Sequence, residues 1–197
     1  MDEIVRQALA KWPNVPDCYG WLALDARGAF RMRDDLAQAT NTPGDVIRHP
    51  ALQSFIYRNY LQNDDGAWYF QNGPQRVFVN LAQTPFIART DPVHGFITHD
   101  GAAMSPITRV WITSEGRLIL GSGERIAMVD DRDLAECLPL LRMESKTVDD
   151  AFLLDWLTHA RGELQLCCGE NLVPVQALHD EHLGAALGFN PNPQPVR

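Results

Sequence analysis

The chain has 197 residues, 45% of them hydrophobic and 21% charged, a composition typical of folded globular proteins that excludes disordered, collagen-like and coiled-coil classes. Its 17 basic and 25 acidic side chains give a formal net charge of -8, so a broad electrostatic surface for duplex nucleic acid or an anionic membrane is not expected. A local basic pocket is compatible with this balance, and the chain is long enough to bury a core without disulfides.

The N-terminal stretch MDEIVRQALAKW carries two acidic residues and no long apolar run, so it matches neither a secretory signal nor a basic transit peptide. No window reaches the roughly 18 to 20 apolar residues that a membrane-spanning helix needs. The cysteines are too few and too unevenly spaced for a disulfide framework: Cys18, Cys137, Cys167 and Cys168. We therefore expect a cytoplasmic protein with no membrane partner.

The N-terminal part predicts a helix over residues 3 to 12 and then a hairpin, GWLALDARGAFRMRDD. The polar segment from Asp34 to His49, which contains Pro43 and Gly44, predicts a loop. An apolar segment with helical spacing, HPALQSFIYR, follows it.

Three later stretches share one frame: GAWYFQNGPQRVFV, GRLILGSGERIAMV and GELQLCCGENLVPV. Each has large apolar residues two and four places after a first glycine, a second glycine seven places on, and small or branched apolar residues four and six places after that. Alternating apolar residues are typical of strands with one buried face, and the second glycine supplies the positive φ of a tight turn. The frame therefore predicts three repeated β-hairpins.

Helical segments precede the first and third hairpins, whereas a strand, RVWITSEG, leads into the second and a short helix, DRDLAECLPLLR, follows it. This order predicts an α+β fold of repeated helix and antiparallel hairpin units that form curved sheets or a half-barrel. We predict an N-terminal α+β half at residues 1–91, a C-terminal α+β half at residues 92–190 packed against it, and a flexible tail at residues 191–197.

The segment IRHPALQSFIYRNYLQNDDGAWYFQNGPQRVFVNLAQTPFIA, with the preceding WLALDARGAF, resembles a bacterial family of unknown function, the DUF1285 family. In that family an arginine leads into an apolar helix, an acidic turn with glycine, an aromatic strand, a proline-bearing turn and a strand that ends near proline and phenylalanine. The residues at these places are Arg48, Asp65, Gly66, Tyr69, Pro74, Pro85 and Phe86. The similarity covers residues 20 to 90, and beyond them it extends only to the order of the strands.

This resemblance implies a duplicated architecture, a second half similar to pleckstrin-homology barrels, and a groove between the halves that takes a nucleotide-like ligand in signal transduction. The family tends to have an acidic residue after the turn proline and a hydrophobic residue, whereas this chain runs Pro74, Gln75, Arg76. An arginine at this place would change the charge of the favoured ligand.

Arginine is the main candidate for ligand recognition, because guanidinium groups suit phosphate or carboxylate and several lie in the segment that resembles the family. A tyrosine there could stack a base. The predicted ligand-binding residues are Arg48, Arg58, Tyr69, Arg76 and Arg89. The alternative interpretation is that these arginines form the solvent faces of the strands and the helix.

Catalytic residues, a metal and a cofactor are not predicted. His179 and His182 in LHDEHLG lack the HExxH spacing of metalloproteases and are interpreted as a polar surface turn. Cys167 and Cys168 correspond to small or polar residues in the other two hairpins, so we interpret them as residues of a turn rather than as a metal or redox pair.

These patterns predict a non-enzymatic ligand-binding or regulatory module for an anionic, nucleotide-like small molecule. The first alternative is an interaction scaffold that recruits a protein through exposed aromatic residues or an unpaired strand edge. The second is a metal-dependent enzyme that uses His179 and His182. The identity of the ligand or partner is not encoded in any motif.

Overall fold

The computed structural model describes residues 1–143 and 146–195. They form two compact units: unit 1 contains Met1–Pro85 together with the segment that begins at Gly188, and unit 2 contains Phe86–Leu187. The α-helices in the described residues are α1 Glu3–Lys11, α2 Asp35–Ala39, α3 Pro50–Arg58, α4 Leu134–Cys137, α5 Asp150–His159 and α6 Leu183–Leu187. With a mixed β-sheet in each unit, the predicted α+β class is confirmed.

Unit 1 contains a six-stranded sheet. Its strands are β1 Cys18–Leu24, β2 Phe30–Met32, β3 Asp45–Val46, β4 Tyr60–Gln62, β5 Trp68–Asn72 and β6 Gln75–Leu81. They lie in the order β3-β2-β1-β6-β5-β4, and β1 and β6 run parallel while the other neighbours run antiparallel.

Unit 2 contains a nine-stranded sheet. Its strands are β7 Phe86–Asp91, β8 Gly95–Thr98, β9 Arg109–Thr113, β10 Leu118–Ser122, β11 Arg125–Val129, β12 Leu141–Met143, β13 Lys146–Thr147, β14 Leu164–Cys168 and β15 Asn171–Leu178. They lie in the order β13-β12-β14-β15-β9-β10-β11-β7-β8, with β7–β11 and β9–β15 parallel. Over residues 1–143 and 146–195, neither sheet closes into a barrel.

The three predicted hairpins are confirmed by the strand registers. Phe70 lies opposite Val77 in the first hairpin, Leu120 opposite Ala127 in the second and Leu166 opposite Val173 in the third. In each pair the two residues occupy the same places in the sequence frame. The turn glycines have φ values of 57°, 56° and 64°, at Gly73, Gly123 and Gly169.

The second strand of every repeat also has a parallel neighbour: β1 beside β6, β7 beside β11, and β9 beside β15. The sheets are therefore mixed rather than built only from antiparallel hairpins. These pairings join strands that are distant in the sequence, so no local periodicity indicates them.

One face of the unit 1 sheet carries a large part of its core. Leu22 and Val79 lie opposite each other on β1 and β6, and both are buried. Helix α3 packs on this side, where the Phe55 and Phe70 rings meet edge to face with centroids 5.3 Å apart. The other face of β1, β2 and β6 therefore carries the side chains that alternate with the core residues.

The segment from Asp34 to His49 differs from the predicted loop, because it contains α2 and β3. The Asp34 side chain accepts a hydrogen bond from the Ala37 amide at 2.8 Å and so caps the first turn of α2. The predicted loop residues Pro43 and Gly44 lie between α2 and β3.

The segment after Gly188 returns to the sheet of unit 1. Asn190 forms an isolated parallel bridge with Ala67, and its amide donates to the Gly66 carbonyl at 2.9 Å. A Cβ atom on Gly66 would lie 3.0 Å from the Gly188 carbonyl oxygen, so glycine allows this close approach. Part of the predicted flexible tail, residues 191–195, belongs to this segment, and residues 196 and 197 lie outside the described residues.

The predicted division between residues 91 and 92 falls at the connection of β7 and β8 and stays a prediction. In the part of the chain that the structure describes, none of the helices has the length and apolar character needed to cross a membrane.

Candidate functional site

A cavity of about 420 Å³ lies in unit 1, beside β1, β2 and β6. This volume falls in the range of small-molecule sites. Two arginines contribute to its wall, Arg31 and Arg33, together with the amide side chains of Asn80 and Asn192. The cavity is therefore the place in unit 1 where cationic and hydrogen-bonding groups converge.

The strand period explains why both arginines face this cavity. Phe30 and Met32 alternate with Arg31 and Arg33, and Phe30 is buried in the core. Ala23 lies opposite Arg31, and the Arg33 amide donates to the Trp21 carbonyl at 2.9 Å. The two arginines therefore lie on the sheet face opposite Phe30.

Arg31 is paired with a carboxylate. Its Nε donates to Asp25 Oδ2 at 2.7 Å, and its Nη1 donates to the Gly44 carbonyl at 3.1 Å. Burial raises the pKa of Asp25, but hydrogen bonds from the Ala29 amide and the Arg31 guanidinium outweigh it and hold the pKa below its ordinary value. Asp25 therefore neutralises Arg31 and positions it.

Three neutral acceptors hold the Arg33 side chain. Its Nε donates to the Thr42 carbonyl at 3.2 Å, and its Nη2 donates to the Ala37 carbonyl at 3.3 Å and to Asn41 Oδ1 at 3.1 Å. Among the described residues, no carboxylate lies within ion-pair distance of this guanidinium. The side chain is thus fixed in place while its positive charge stays uncompensated.

The segment after Gly188 forms one wall of the cavity. The Leu81 amide donates to the Pro191 carbonyl at 2.8 Å, and Asn80 Nδ2 donates to Asn192 Oδ1. Gln194 Nε2 also donates to Asn192 Oδ1, at 3.2 Å. These bonds hold the amide of Asn192 against the end of β6.

The residues predicted from the sequence as a ligand site do not line this cavity. Tyr69 is buried, and the Arg76 guanidinium lies 5.2 Å from the centroid of its ring. Arg58 pairs with Asp2 at 3.1 Å. Arg48 is exposed on the segment before α3.

The fifth predicted residue, Arg89, belongs to unit 2 and lies 3.7 Å from the Asp133 carboxylate. In unit 1, Tyr69 and Arg76 contact each other, whereas Arg58 contacts the N-terminal helix region. The role of these five residues in ligand binding stays a prediction.

The model of a family described as "Protein of unknown function (DUF2946)" matches residues 1–194. The chain belongs to this family. The crystal structure of a DUF1285 family protein from Silicibacter pomeroyi DSS-3 is similar to this DUF2946 protein, with 16% identity and a TM-score of 0.50, covering 88% of this chain and 94% of that one. The resemblance seen in the sequence is confirmed at the level of the fold. No curated protein matches the chain.

The histidine pair of this DUF2946 protein lies at a short 3₁₀ turn, Asp180–His182. Asp180 between them accepts hydrogen bonds from Ser114 Oγ and from the Glu115 amide, both at 3.0 Å. Within residues 1–143 and 146–195, no group of three or more His, Cys, Asp and Glu side chains is placed to hold a metal. The geometry gives the metal-enzyme alternative no support.

The cysteine pair ends β14, and Cys168 lies opposite Asn171 at the closing pair of the hairpin. Both thiols are free, and Cys167 Sγ donates to the Gly169 carbonyl at 3.3 Å. Burial, followed by the neighbouring Cys167, raises the pKa of Cys168 to about 11. This thiol therefore stays protonated near neutral pH, unlike the thiolate of a redox sensor.

The sequence interpretation missed Arg31 and Arg33. The triplet RMR in the second strand of the predicted N-terminal hairpin carried the signal, because residues two apart share a strand face. The wall formed by the segment after Gly188 could not be predicted, since Asn192 reaches the cavity through the return of a segment that is distant in the sequence.

Proposed function

We propose that this DUF2946 protein is a non-enzymatic module that binds an anionic, nucleotide-like small molecule in the cavity beside Arg31 and Arg33. Binding would serve a regulatory role in signal transduction. Arg33 carries the proposal, because its guanidinium is ordered by three neutral acceptors and keeps a net positive charge at the cavity. Charge-assisted hydrogen bonds from such a group are the strong kind in anion recognition.

The charge of the cavity supports an anion. Arg31 and Asp25 offset each other, so the local balance is set by Arg33. The whole chain is acidic, with a formal net charge of -8, and an anion therefore gains little from the protein surface as a whole. A fixed arginine in a small cavity supplies the attraction that the surface does not.

An aromatic ring close to the cavity supports the nucleotide-like part of the proposal. Trp21 is 40% exposed and lies two residues before the lining residue Ala23 on β1, so both are on one strand face. Its backbone carbonyl accepts from the Arg33 amide. A ligand with its anionic group at Arg33 could stack a planar ring on Trp21.

Binding is favoured over catalysis because the carboxylate at the cavity is poorly suited to proton transfer. The pKa of Asp25 lies below its ordinary value, and its oxygens accept from Arg31 and from the amides of Arg27 and Ala29. A general base works best with a pKa near the operating pH. Asp25 is interpreted as a positioning group for Arg31.

Of the ligand-binding residues predicted from the sequence, Arg76 lies on β6, the strand whose residue Asn80 lines the cavity. Arg76 and Asn80 share a face of β6, and four residues along a strand span about 13 Å. Arg76 is exposed, so it could contact a ligand that extends beyond the cavity. The likeness of the second half to pleckstrin-homology barrels also stays a proposal.

Calorimetry tests the site. A thermal-shift screen with nucleoside phosphates, cyclic dinucleotides and sugar phosphates would select a ligand, and its affinity would be measured for the wild type and for Arg33→Gln. Loss of a hydrogen bond to a charged group costs about 1.5–3 kcal/mol, so we expect binding to weaken by roughly 10- to 150-fold.

The matched control is Arg6→Gln, which removes the same charge from α1, where Arg6 pairs with Glu3 outside the cavity. Its affinity should stay within about twofold of the wild type. Equal affinities for Arg33→Gln and the wild type would contradict the proposed site. A screen in which no anion stabilises the protein would contradict the proposed function.

A further inference from the structure

Unit 2 contains a second cavity, of about 260 Å³, bounded by residues of β9, β10, β12, α4 and α5. Leu118 of β10 and Leu141 of β12 line it and are buried. Leu153 and Leu157 of α5 also line it and are half-buried. Leucine side chains thus surround the space from the sheet and from a helix.

The wall of this leucine cavity carries almost no polar groups. Among the described residues that line it, the Cys137 thiol is the side-chain polar group, and the others are aliphatic residues and one glycine. Burial, followed by the charges of Asp133 and Glu136, raises the pKa of Cys137 to about 12, so the thiol is neutral. A charged ligand would lose its hydration here without a compensating partner.

The cavity is accessible from solvent. Leu138, one of its lining residues, is 46% exposed. Apolar side chains at an opening keep contact with water unless a ligand covers them, and covering them stabilises the complex by roughly 25 cal/mol per Å². The opening therefore favours entry of an apolar molecule.

We propose that the leucine cavity binds a small uncharged apolar molecule. An engineered cavity of about 150 Å³ lined by aliphatic and aromatic groups takes benzene, so this larger space suits a molecule of roughly ten carbon atoms. The proposal does not depend on the anion site, because the two cavities share no lining residue.

Naphthalene is a suitable probe, because it is uncharged and has ten carbon atoms. With leucine methyl groups labelled for NMR, we expect nuclear Overhauser contacts from naphthalene to the methyls of Leu118, Leu141, Leu153 and Leu157. Contacts confined to other leucines, or none at saturation with naphthalene, would overturn the proposal. This measurement on the wild-type chain does not depend on the folding of a variant.

A pair of neighbouring substitutions on α5 provides the second test. Leu153→Phe places a ring in the cavity and should weaken naphthalene binding at least about tenfold, which corresponds to about 1.4 kcal/mol. Leu154→Phe makes the same change at an exposed residue that does not line the cavity, and its affinity should stay within about twofold. Equal affinities for the two variants would place naphthalene elsewhere.

Discussion

The repeated turn glycines give the sharpest test of the fold. Gly73, Gly123 and Gly169 take the first position of three equivalent turns, each with positive φ, as in type II′ hairpins. Substitution of each by alanine adds one methyl group and changes little else. If the three hairpins share one turn conformation, the three substitutions should lower the free energy of unfolding by similar amounts.

The magnitude follows from the space around each glycine. A Cβ atom at Gly123 or Gly169 would meet no atom within 4 Å, and at Gly73 the nearest is the Ala8 Cβ at 4.0 Å. An alanine methyl group would therefore clash with nothing at Gly123 and Gly169, and its contact at Gly73 would be negligible. The positive φ remains, and a residue with a Cβ held in such a sparsely populated backbone conformation costs about 1–3 kcal/mol.

Urea and thermal unfolding would measure these losses, and 1 kcal/mol corresponds to roughly 2–4 °C in the melting temperature for a chain of this size. Gly184→Ala is a control of opposite sign, because Gly184 lies within α6 and alanine there should stabilise by about 0.5–1 kcal/mol. A turn variant as stable as the wild type would refute the role of positive φ. A loss of more than about 3 kcal/mol in the free energy of unfolding would contradict the absence of atoms close to these glycines.

Two further predictions concern titrating groups. Asp130 is fully buried, and hydrogen bonds from Arg132 lower its pKa, so its stabilising effect is present above about pH 4 and is lost as the pH falls further. Asp130→Asn should lose about 1.5–3 kcal/mol at pH 7 and progressively less below pH 4 in urea unfolding, and a difference that is constant with pH would contradict this assignment. Cys168, whose pKa is raised to about 11, should react with iodoacetamide at pH 8 more than about tenfold slower than a cysteine peptide, as followed by peptide mass spectrometry, and an equal rate would contradict its burial.

Local sequence patterns predicted the hairpins and helices whose structure depends on residues close together in the chain. The frame that places Leu120 opposite Ala127 combines alternating apolar residues with one glycine, and both signals lie within fourteen residues. The helix α3 follows similarly from apolar spacing and from Pro50 at its start. These elements were predictable because their hydrogen bonds close over short stretches of chain.

The pairing of distant strands was not predictable in this way. Leu22 lies beside Val79, and Val175 beside Val110, although nothing in either stretch specifies its parallel partner. The candidate site was only partly predictable for the same reason. Arg33 belongs to one local hairpin, whereas Asn192 lines the same cavity because a segment distant in the sequence packs against unit 1. Sequence patterns could have indicated half of the site, and the packing of the chain determines the other half.

Unit 1 is assembled from two separated parts of the chain, with all of unit 2 between them. During translation from the N-terminus, residues 86–187 are synthesised after Met1–Pro85 and before the segment that begins at Gly188. The Pro191 carbonyl, which accepts from the Leu81 amide, and the Asn192 side chain, which accepts from Asn80, are therefore made after unit 2. The cavity beside Arg31 and Arg33 therefore gains the wall formed by this segment only after unit 2 has been synthesised, and the proposed anion site is complete only then.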